Sequence, residues 1–440
     1  MTYKVALISL GCAKNLVNSE QMLCLLADAG LEVVPQAEGA DAAIVNTCGF
    51  IDSAKMEAID TILALGEMKE QGLLGKIIVT GCLSQRYKEQ LLEEMPEIDA
   101  IVGTGSYAEI VGILQETMKG ESKITAFGDI DAPVDEIGRV ISTGGAYAYI
   151  KIAEGCDNRC SYCVIPSLRG KFRSRTMENI IDEAQALAVM GIKELIVVAQ
   201  DITRYGIDLY GKRSLAELLE KLCEIEGFKW IRLHYLYPDE VDDSLIDVMA
   251  EHDKILNYLD IPIQHINDGV LKLMNRRGTG EEIRALFTKL RERLPGLVLR
   301  TSLITGLPGD GEEEYEELCN FLREFKIERA GVFPYSPEEG TPAAEMDRVD
   351  EEVASRRAEK IMDLQYEIMA DFNESRIDTV TEVLCEGYDE ELDCYYGRSY
   401  AESPDIDGRI LFTGDDIEVD GFYRVHITDE DDGELGGRKI

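Results

Sequence analysis

Gly155–Gly170 reads GCDNRCSYCVIPSLRG, and it holds Cys156, Cys160 and Cys163 within eight residues, with no further cysteine or histidine in the next fifty. A structural zinc site normally closes with four protein ligands. An iron–sulfur cube needs a ligand on each of four irons, so three thiolates leave one iron open to a small molecule. A zinc loop completed by a distant fourth residue is the alternative. The run before the triad, AYAYIKIA, reads as a buried strand, and MENIIDEAQALAVMG after it as a helix. The triad therefore sits at the first strand-to-helix crossing of a longer series.

Working outward, six apolar strand candidates run from Ala146 to about Pro334: AYAYIKIA, ELIVVAQ, WIRLHYL, NYLDIPI, LVLRTSLIT and RAGVFPY. Helical patterns separate them. Six βα units predict a barrel or partial barrel, (β/α)6, smaller than the eight-unit closed form. Residues 1–125 also alternate strand and helix, which predicts an open parallel α/β domain covered on both faces. A Gly, Asp and Pro-rich stretch at 126–143 is a linker candidate, and the barrel unit takes 144–345. A long amphipathic helix is expected at 346–375. From 376 to 440, short strands punctuated by Gly, Pro and Asp predict a small antiparallel β-barrel.

Three further cysteines look solitary in sequence. KVALISL ends at Cys12, DAAIVNT at Cys48 and KIIVTG at Cys82. Each would lie at the carboxyl end of a strand in one parallel sheet, and these ends share the edge where open α/β sheets bind ligands. Gly11, Gly49 and Gly81 flank the thiols and allow close backbone approach. Three distant thiols can thus meet as a second cluster site, again one ligand short. Three ordinary buried cysteines is the plainer reading. Cys24, Cys223, Cys319, Cys385 and Cys394 have no partner at ligand spacing and are read as structural.

The 440-residue chain carries 45 basic and 85 acidic side chains, a formal charge of −40. Such a chain repels phosphate backbones and attracts basic partners. The eleven cysteines are odd in number and scattered, unlike a secreted disulfide framework. No apolar run approaches the roughly 18 residues of a membrane helix. The opening MTYKVALISLGCAKN reads as a first strand rather than a signal peptide, and a cytoplasmic location is expected.

The spacing Cys-x3-Cys-x2-Cys after the first barrel strand resembles the radical S-adenosylmethionine enzymes. Two such sites on one chain resemble the methylthiotransferases, and LGCAKNLVNSE, VNTCGFIDSAKMEAI, VAQDITRYGIDLYG, DIPIQH, TGLPGD and GRSYAESPDIDG stand in that family's order. The resemblance implies two 4Fe–4S clusters, S-adenosylmethionine as cofactor and a C-terminal TRAM domain. It implies that Cys12, Cys48, Cys82, Cys156, Cys160 and Cys163 are metal ligands. It implies that Tyr162 packs the cofactor's adenine, and that Gln200, Asp201, Gln264, Arg300 and the turn of Gly306, Pro308 and Gly309 supply further contacts. Gln264 and His265 both follow a strand end, so either could face the cavity.

LGCAKN and NTCGFI are closer to the RimO-type branch, which modifies the β-carbon of an aspartate in small-subunit ribosomal protein S-twelve, than to the transfer-RNA branch. Ala13 replaces a common proline, and DGELGG replaces a Tyr-Asp-Leu element near the end. Residues 376–440 hold 19 acidic and 6 basic side chains, a formal charge of −13. That suits a basic ribosomal protein and disfavours direct binding of nucleic acid. A reducing electron donor is implied as a further partner, and no membrane. Finally, Arg169, Lys171, Arg173 and Arg175 alternate in RGKFRSR. If extended, they would share one side and either handle an anion near the triad or form ordinary salt bridges.

Overall fold

The computed structural model describes residues 2–120 and 123–440. Six parallel strands form the first sheet: β1 (Lys4–Ser9), β2 (Glu32–Val34), β3 (Ala42–Thr47), β4 (Lys76–Gly81), β5 (Ala100–Val102) and β6 (Ile124–Ala126), in the order β2-β1-β3-β4-β5-β6. Every residue of β3 is buried, as a central strand with helices on both faces requires. Separate apolar clusters lie on the two faces, one around Val45, Ile62 and Val79, the other around Met22, Ile44 and Ile78. Strands β1, β3 and β4 are neighbours, so the chain leaves three adjacent strand ends at Cys12, Cys48 and Cys82.

The first helix spans Ala13–Asp28, with Cys12 as its N-cap. It starts well before the Ser19 that apolar periodicity suggests. The reason is that Lys14, Asn15, Asn18, Ser19, Glu20 and Gln21 are all buried, so this helix packs a polar face inward. Residues 127–143 carry no regular structure, yet they clasp both neighbouring units. Glu20 accepts from the Ser142 amide at 2.8 Å and from Arg139 at 3.2 Å, while Glu136 pairs with Arg175.

The second unit has strands β7 (Tyr147–Lys151), β10 (Glu194–Val198), β11 (Trp230–Leu233), β12 (Ile255–Asp260), β13 (Val298–Thr305) and β14 (Arg329–Pro334), with a short ribbon of β8 (Ala153–Glu154) and β9 (Arg173–Ser174) after β7. The six main strands run parallel in sequence order, with β7 and β14 left as edges. This is a partial barrel, as expected. Helix Glu351–Glu374 lies against it: Thr305 Oγ1 donates to the Ala354 carbonyl at 2.8 Å, and Gln365 to that of Ile327 at 2.8 Å.

The last unit is a closed barrel of β15 (Val380–Asp389), β16 (Cys394–Arg398), β17 (Ile410–Thr413), β18 (Phe422–Asp431) and β19 (Glu434–Lys439). It is not wholly antiparallel, because β17 and β19 run parallel. Directions can alternate all the way round only when the strand number is even, so five strands force one parallel pair. The loop after β16 is anchored in the larger barrel. Arg232 and Arg398 both grip Glu194, at 2.6 and 2.7 Å, with all three side chains at most 2% exposed. Ser403 meets His234 at 3.0 Å, and Tyr258 donates to Asp407 at 2.7 Å. Among the described residues, no helix is long and apolar enough to cross a membrane.

Candidate iron–sulfur sites

The three strand-end thiols of the first domain converge. A Cβ added to Gly11 would stand 2.7 Å from Cys48 Cβ and 3.5 Å from its sulfur; one added to Gly49 would stand 2.9 Å from the Cys82 carbonyl. Both glycines therefore permit an approach that any side chain would block. Burial works against ionisation of Cys12, but Lys14 and Arg169 outweigh it and hold its pKa below the ordinary thiol value, helped by the first amides of the helix. Burial pushes Cys48 up to about 11, with the Cys82 and Cys12 thiols adding to it. Cys82 is also raised by burial, against the pull of Arg169.

Arg169 comes from the barrel unit. Its Nε donates to Cys82 Sγ at 3.4 Å, its Nη1 to Asn18 at 2.9 Å and Glu154 at 3.3 Å, and its Nη2 to Asn15. Asn15 is itself fixed, since its amide donates to the carbonyls of Leu10 and Thr47. Lys151 holds the same Glu154 oxygen at 2.7 Å.

The second triad sits in the loop after β8. Cys163 donates its amide to the Cys160 carbonyl at 3.0 Å, and Ser161 ties the loop to the Leu273 and Met274 carbonyls. Arg276 Nη1 stands 3.9 Å from Cys160 Sγ and donates to the Tyr162 hydroxyl at 3.1 Å, while its guanidinium lies 4.4 Å over the Tyr237 ring. Burial pushes Cys156 up to about 11 and Cys163 higher still, with neighbouring thiols contributing to both.

The thiols of Cys48, Cys82, Cys156 and Cys163, raised by burial and by one another, hold their protons until a cationic metal centre binds the thiolates and the protons pass to solvent. Among the described residues, no group of three His, Cys, Asp or Glu side chains is arranged to hold a single metal ion. In a cube each thiolate meets its own iron, so three thiols need not converge on one ion. The residues present fit one such cluster per triad.

The two sites are close. Helix Ile165–Arg169 leaves the second triad and ends on the first. At about 1.5 Å per helical residue, the helix from Ile165 to Arg169 advances only roughly 6 Å along its axis. Val164, the N-cap of this helix, and Leu168 within it pack with Cys82, and Phe50 packs against them. A cleft of about 470 Å³ beside Trp230, His252 and Tyr400 lies at the opposite, amino-terminal ends of the barrel strands; it is a seam with the last domain.

Three family models match: the radical SAM superfamily over residues 150–322, uncharacterized protein family UPF0004 over 4–103, and the TRAM domain over 377–440. The ribosomal protein uS12 methylthiotransferase RimO of Acetivibrio thermocellus is 48% identical over 100% of this chain and 99% of its own length. That of Pelotomaculum thermopropionicum is 50% identical, covering 100% of both. The chain belongs to the RimO family. It is a radical S-adenosylmethionine methylthiotransferase, and its cofactors are S-adenosylmethionine and 4Fe–4S clusters. Among solved structures, the radical S-adenosylmethionine methyltransferase TsrM from Kitasatospora setae is similar in fold, with TM-score 0.59 at 15% identity over 78% of this chain and 74% of TsrM. The cobalamin-dependent radical enzyme OxsB gives TM-score 0.52 at 14% identity over 84% of this chain and 56% of its own.

The residues expected to contact the cofactor fall into different settings in this RimO-family chain. Tyr162 is buried with Tyr237, Val270, Met274 and Leu307 beside Cys160. Gln200 donates to Glu154 at 2.7 Å, and its buried Oε1 has no partner, an acceptor open to a ligand. Asp201 caps Thr203 and accepts from Asn158 at 2.8 Å, so it braces the cysteine loop. Gln264 has φ +69° and is hydrogen-bonded through its backbone to Ser302 and Ile304. Arg300 is paired with Asp260 at 2.8 Å. The Gly306 amide donates to Asp310, and the turn through Pro308 and Gly309 wedges buried Leu307 under the cysteine loop. His265 is buried against Asp310.

The four alternating cations do not share a side. Arg169 closes a helix instead of extending a strand, Arg175 is buried against Glu136 and Glu183, Arg173 lies 3.9 Å from Asp131, and Lys171 is 71% exposed. Only Arg169 reaches a thiol. Lys14, Asn15, Asn18, Glu154 and Arg276 had no role assigned from sequence. The one available signal was a run of polar residues inside a helix that directly follows Cys12.

Proposed function

We propose that this chain transfers a methylthio group to the β-carbon of an aspartate in ribosomal protein uS12, with two 4Fe–4S clusters. The observation that carries the reading is two three-thiol sites, one per domain, meeting across the short helix that ends at Arg169. When bound, an open-cornered cube supplies one electron to S-adenosylmethionine, the source of a carbon radical that can take hydrogen from an unactivated C–H bond, and a second cube serves as the sulfur carrier.

In this reading Cys156, Cys160 and Cys163 hold the first cube, and Cys12, Cys48 and Cys82 the second. Tyr162, Gln200, Asp201, Gln264, Arg300, Gly306, Pro308 and Gly309 form the cofactor cradle, with the orphaned Gln200 oxygen the best placed of them. Arg169 ties the barrel to the first domain, so that both sites open toward one target carbon. The apolar packing of Phe50, Val164 and Leu168 keeps water from the passage between them.

A reducing electron donor is required, and the enzyme works in the cytoplasm with the ribosomal proteins. The C-terminal barrel, at −13, is matched to a basic protein. It is a poor clamp for transfer RNA, because binding to phosphates is driven by cations that release counterions. The test is mass spectrometry of uS12 after anaerobic incubation with reconstituted enzyme, S-adenosylmethionine, a sulfur source and reductant. One added methylthio group on one aspartate is expected; an unmodified uS12, or a modified transfer RNA instead, refutes the proposal.

A further inference from the structure

Lys14 is 8% exposed, yet among the described residues no carboxylate lies within ion-pair distance of its ammonium. Burying an unpaired charge costs several kcal/mol unless something compensates it. The compensation visible is Tyr235, whose ring centre lies 3.3 Å from Nζ, with the Cys12 thiol and the more distant Asp260 carboxylate also favouring the charge. Tyr235 pays for that position with a left-handed backbone, φ +66°, which a bulky residue adopts only under constraint. Other cations of the interior are already engaged: Arg300 by Asp260, Lys151 by Glu154, and Arg169 by Glu154 and two asparagines.

The location is specific. Lys14 is two residues from Cys12, a ligand of the sulfur-carrying site. The same helix lays Ala13, Leu16 and Val17 against Tyr149 of β7 and Ile196 and Val198 of β10. The ammonium therefore stands where the first domain meets the mouth of the radical barrel. A buried cation with no carboxylate in contact, in a nearly dry setting, selects one.

Resting on the function proposed above, we propose that Lys14 seats the side-chain carboxylate of the target aspartate. Gripping that group fixes the β-carbon one bond away, between the two cluster sites. The carboxylate of S-adenosylmethionine is the other source of the same chemistry, and the experiment separates them.

Binding of fluorescently labelled uS12 to the anaerobic, cluster-loaded enzyme is measured by anisotropy, with uS12 carrying either its natural target aspartate or asparagine there. The unaltered enzyme is expected to hold the aspartate form roughly 10- to 100-fold more tightly, the value of one charge-assisted contact. Lys14→Met should bring the two forms within about twofold, Lys14→Arg should restore the preference, and Tyr235→Phe should keep it. Lys14→Gln repeats the measurement should the methionine variant load less iron. An aspartate preference that survives loss of Lys14 overturns this inference alone. So does a Lys14→Met variant that loses affinity for S-adenosylmethionine while the aspartate preference stays. An unaltered enzyme that holds neither form overturns the substrate reading and this inference with it.

Discussion

Replacing Arg169 with glutamine separates what its charge does from what its fork does. The side chain is 5% exposed and reaches Cys82, Glu154, Asn18 and Asn15. Removing one member of a buried ion pair costs about 3–5 kcal/mol. Lys151 still holds Glu154 at 2.7 Å, so the lower end applies to that pair. Two asparagine oxygens also lose a donor, about 1–3 kcal/mol each unless the new amide replaces one. With one asparagine re-satisfied, a net loss of roughly 4–6 kcal/mol is large against a typical total of about 5–15 kcal/mol.

The guanidinium Nε lies 3.4 Å from Cys82 Sγ. With cluster charge centred roughly 6 Å away and an effective dielectric of about 20, its loss withdraws about 3 kcal/mol from the reduced state. For a one-electron couple at about 59 mV per tenfold change, the potential should fall by on the order of 100 mV. Arg169→Lys keeps the charge but not the fork, so it should lose stability while shifting the potential much less. The assay is a redox titration followed by electron paramagnetic resonance, on protein whose Cys156, Cys160 and Cys163 are alanine so that one cluster remains. A glutamine variant within about 20 mV of its parent would refute the electrostatic role. So would a lysine variant that shifts as far as the glutamine.

Cys48→Ala should reconstitute with about four irons in place of about eight and give no methylthiolated uS12; a full iron complement by colorimetric assay would contradict the ligand assignment. Gly49→Ala places a methyl 2.8 Å from the Leu83 amide nitrogen and 2.9 Å from the Cys82 carbonyl. It should cost about 1–3 kcal/mol in thermal unfolding and lower iron at the first-domain site while the barrel site loads normally. Glu402 is buried, but Arg376 and Arg329 outweigh that burial and hold its carboxyl at about 2. A depressed pKa stabilises above the unfolded value and is lost as the carboxylate protonates. Glu402 should therefore contribute roughly 3 kcal/mol at neutral pH that disappears between about pH 4.5 and 2. Glu402→Gln should flatten the stability profile in that window, and an unchanged acid transition in denaturant titrations would count against the assignment.

Strand ends were legible because they obey simple periodicity: KVALIS, AAIVNT and KIIVTG are apolar runs closed by a glycine or cysteine, and parallel strands must end on one edge. That edge brought Cys12, Cys48 and Cys82 together before any coordinates. What failed was the reading of polar residues. Helix Ala13–Asp28 begins six residues before its apolar pattern does, because Lys14, Asn15 and Asn18 face a functional interior instead of solvent. RGKFRSR looked like one extended stripe, but Pro166 favours a helical first turn, and Arg169 closes that helix. Lys171, Arg173 and Arg175 then belong to a different element with different partners. In the first place a tertiary contact overrode the local pattern, in the second a local helix signal outweighed the alternation, and both lie beside a thiol.

The distribution of charge within the −40 total is opposed to the total itself. Lys14, Lys151, Arg169 and Arg276 are all buried, and all stand at or between the two triads. A cube with three thiolate ligands carries net negative charge, so each site needs cations that water cannot screen. Placing them on the interior seam leaves the outside acidic, which is the field that the basic partner of the proposed function would be drawn to. The seam is built from both domains, with Lys14 on one side and Arg169 on the other. Separating the domains would then cost more than packing, because the first-domain thiolate site would lose Arg169, the cation that the barrel supplies to it. Domain docking and cluster retention should accordingly be lost together, in one transition, as salt and denaturant loosen the seam.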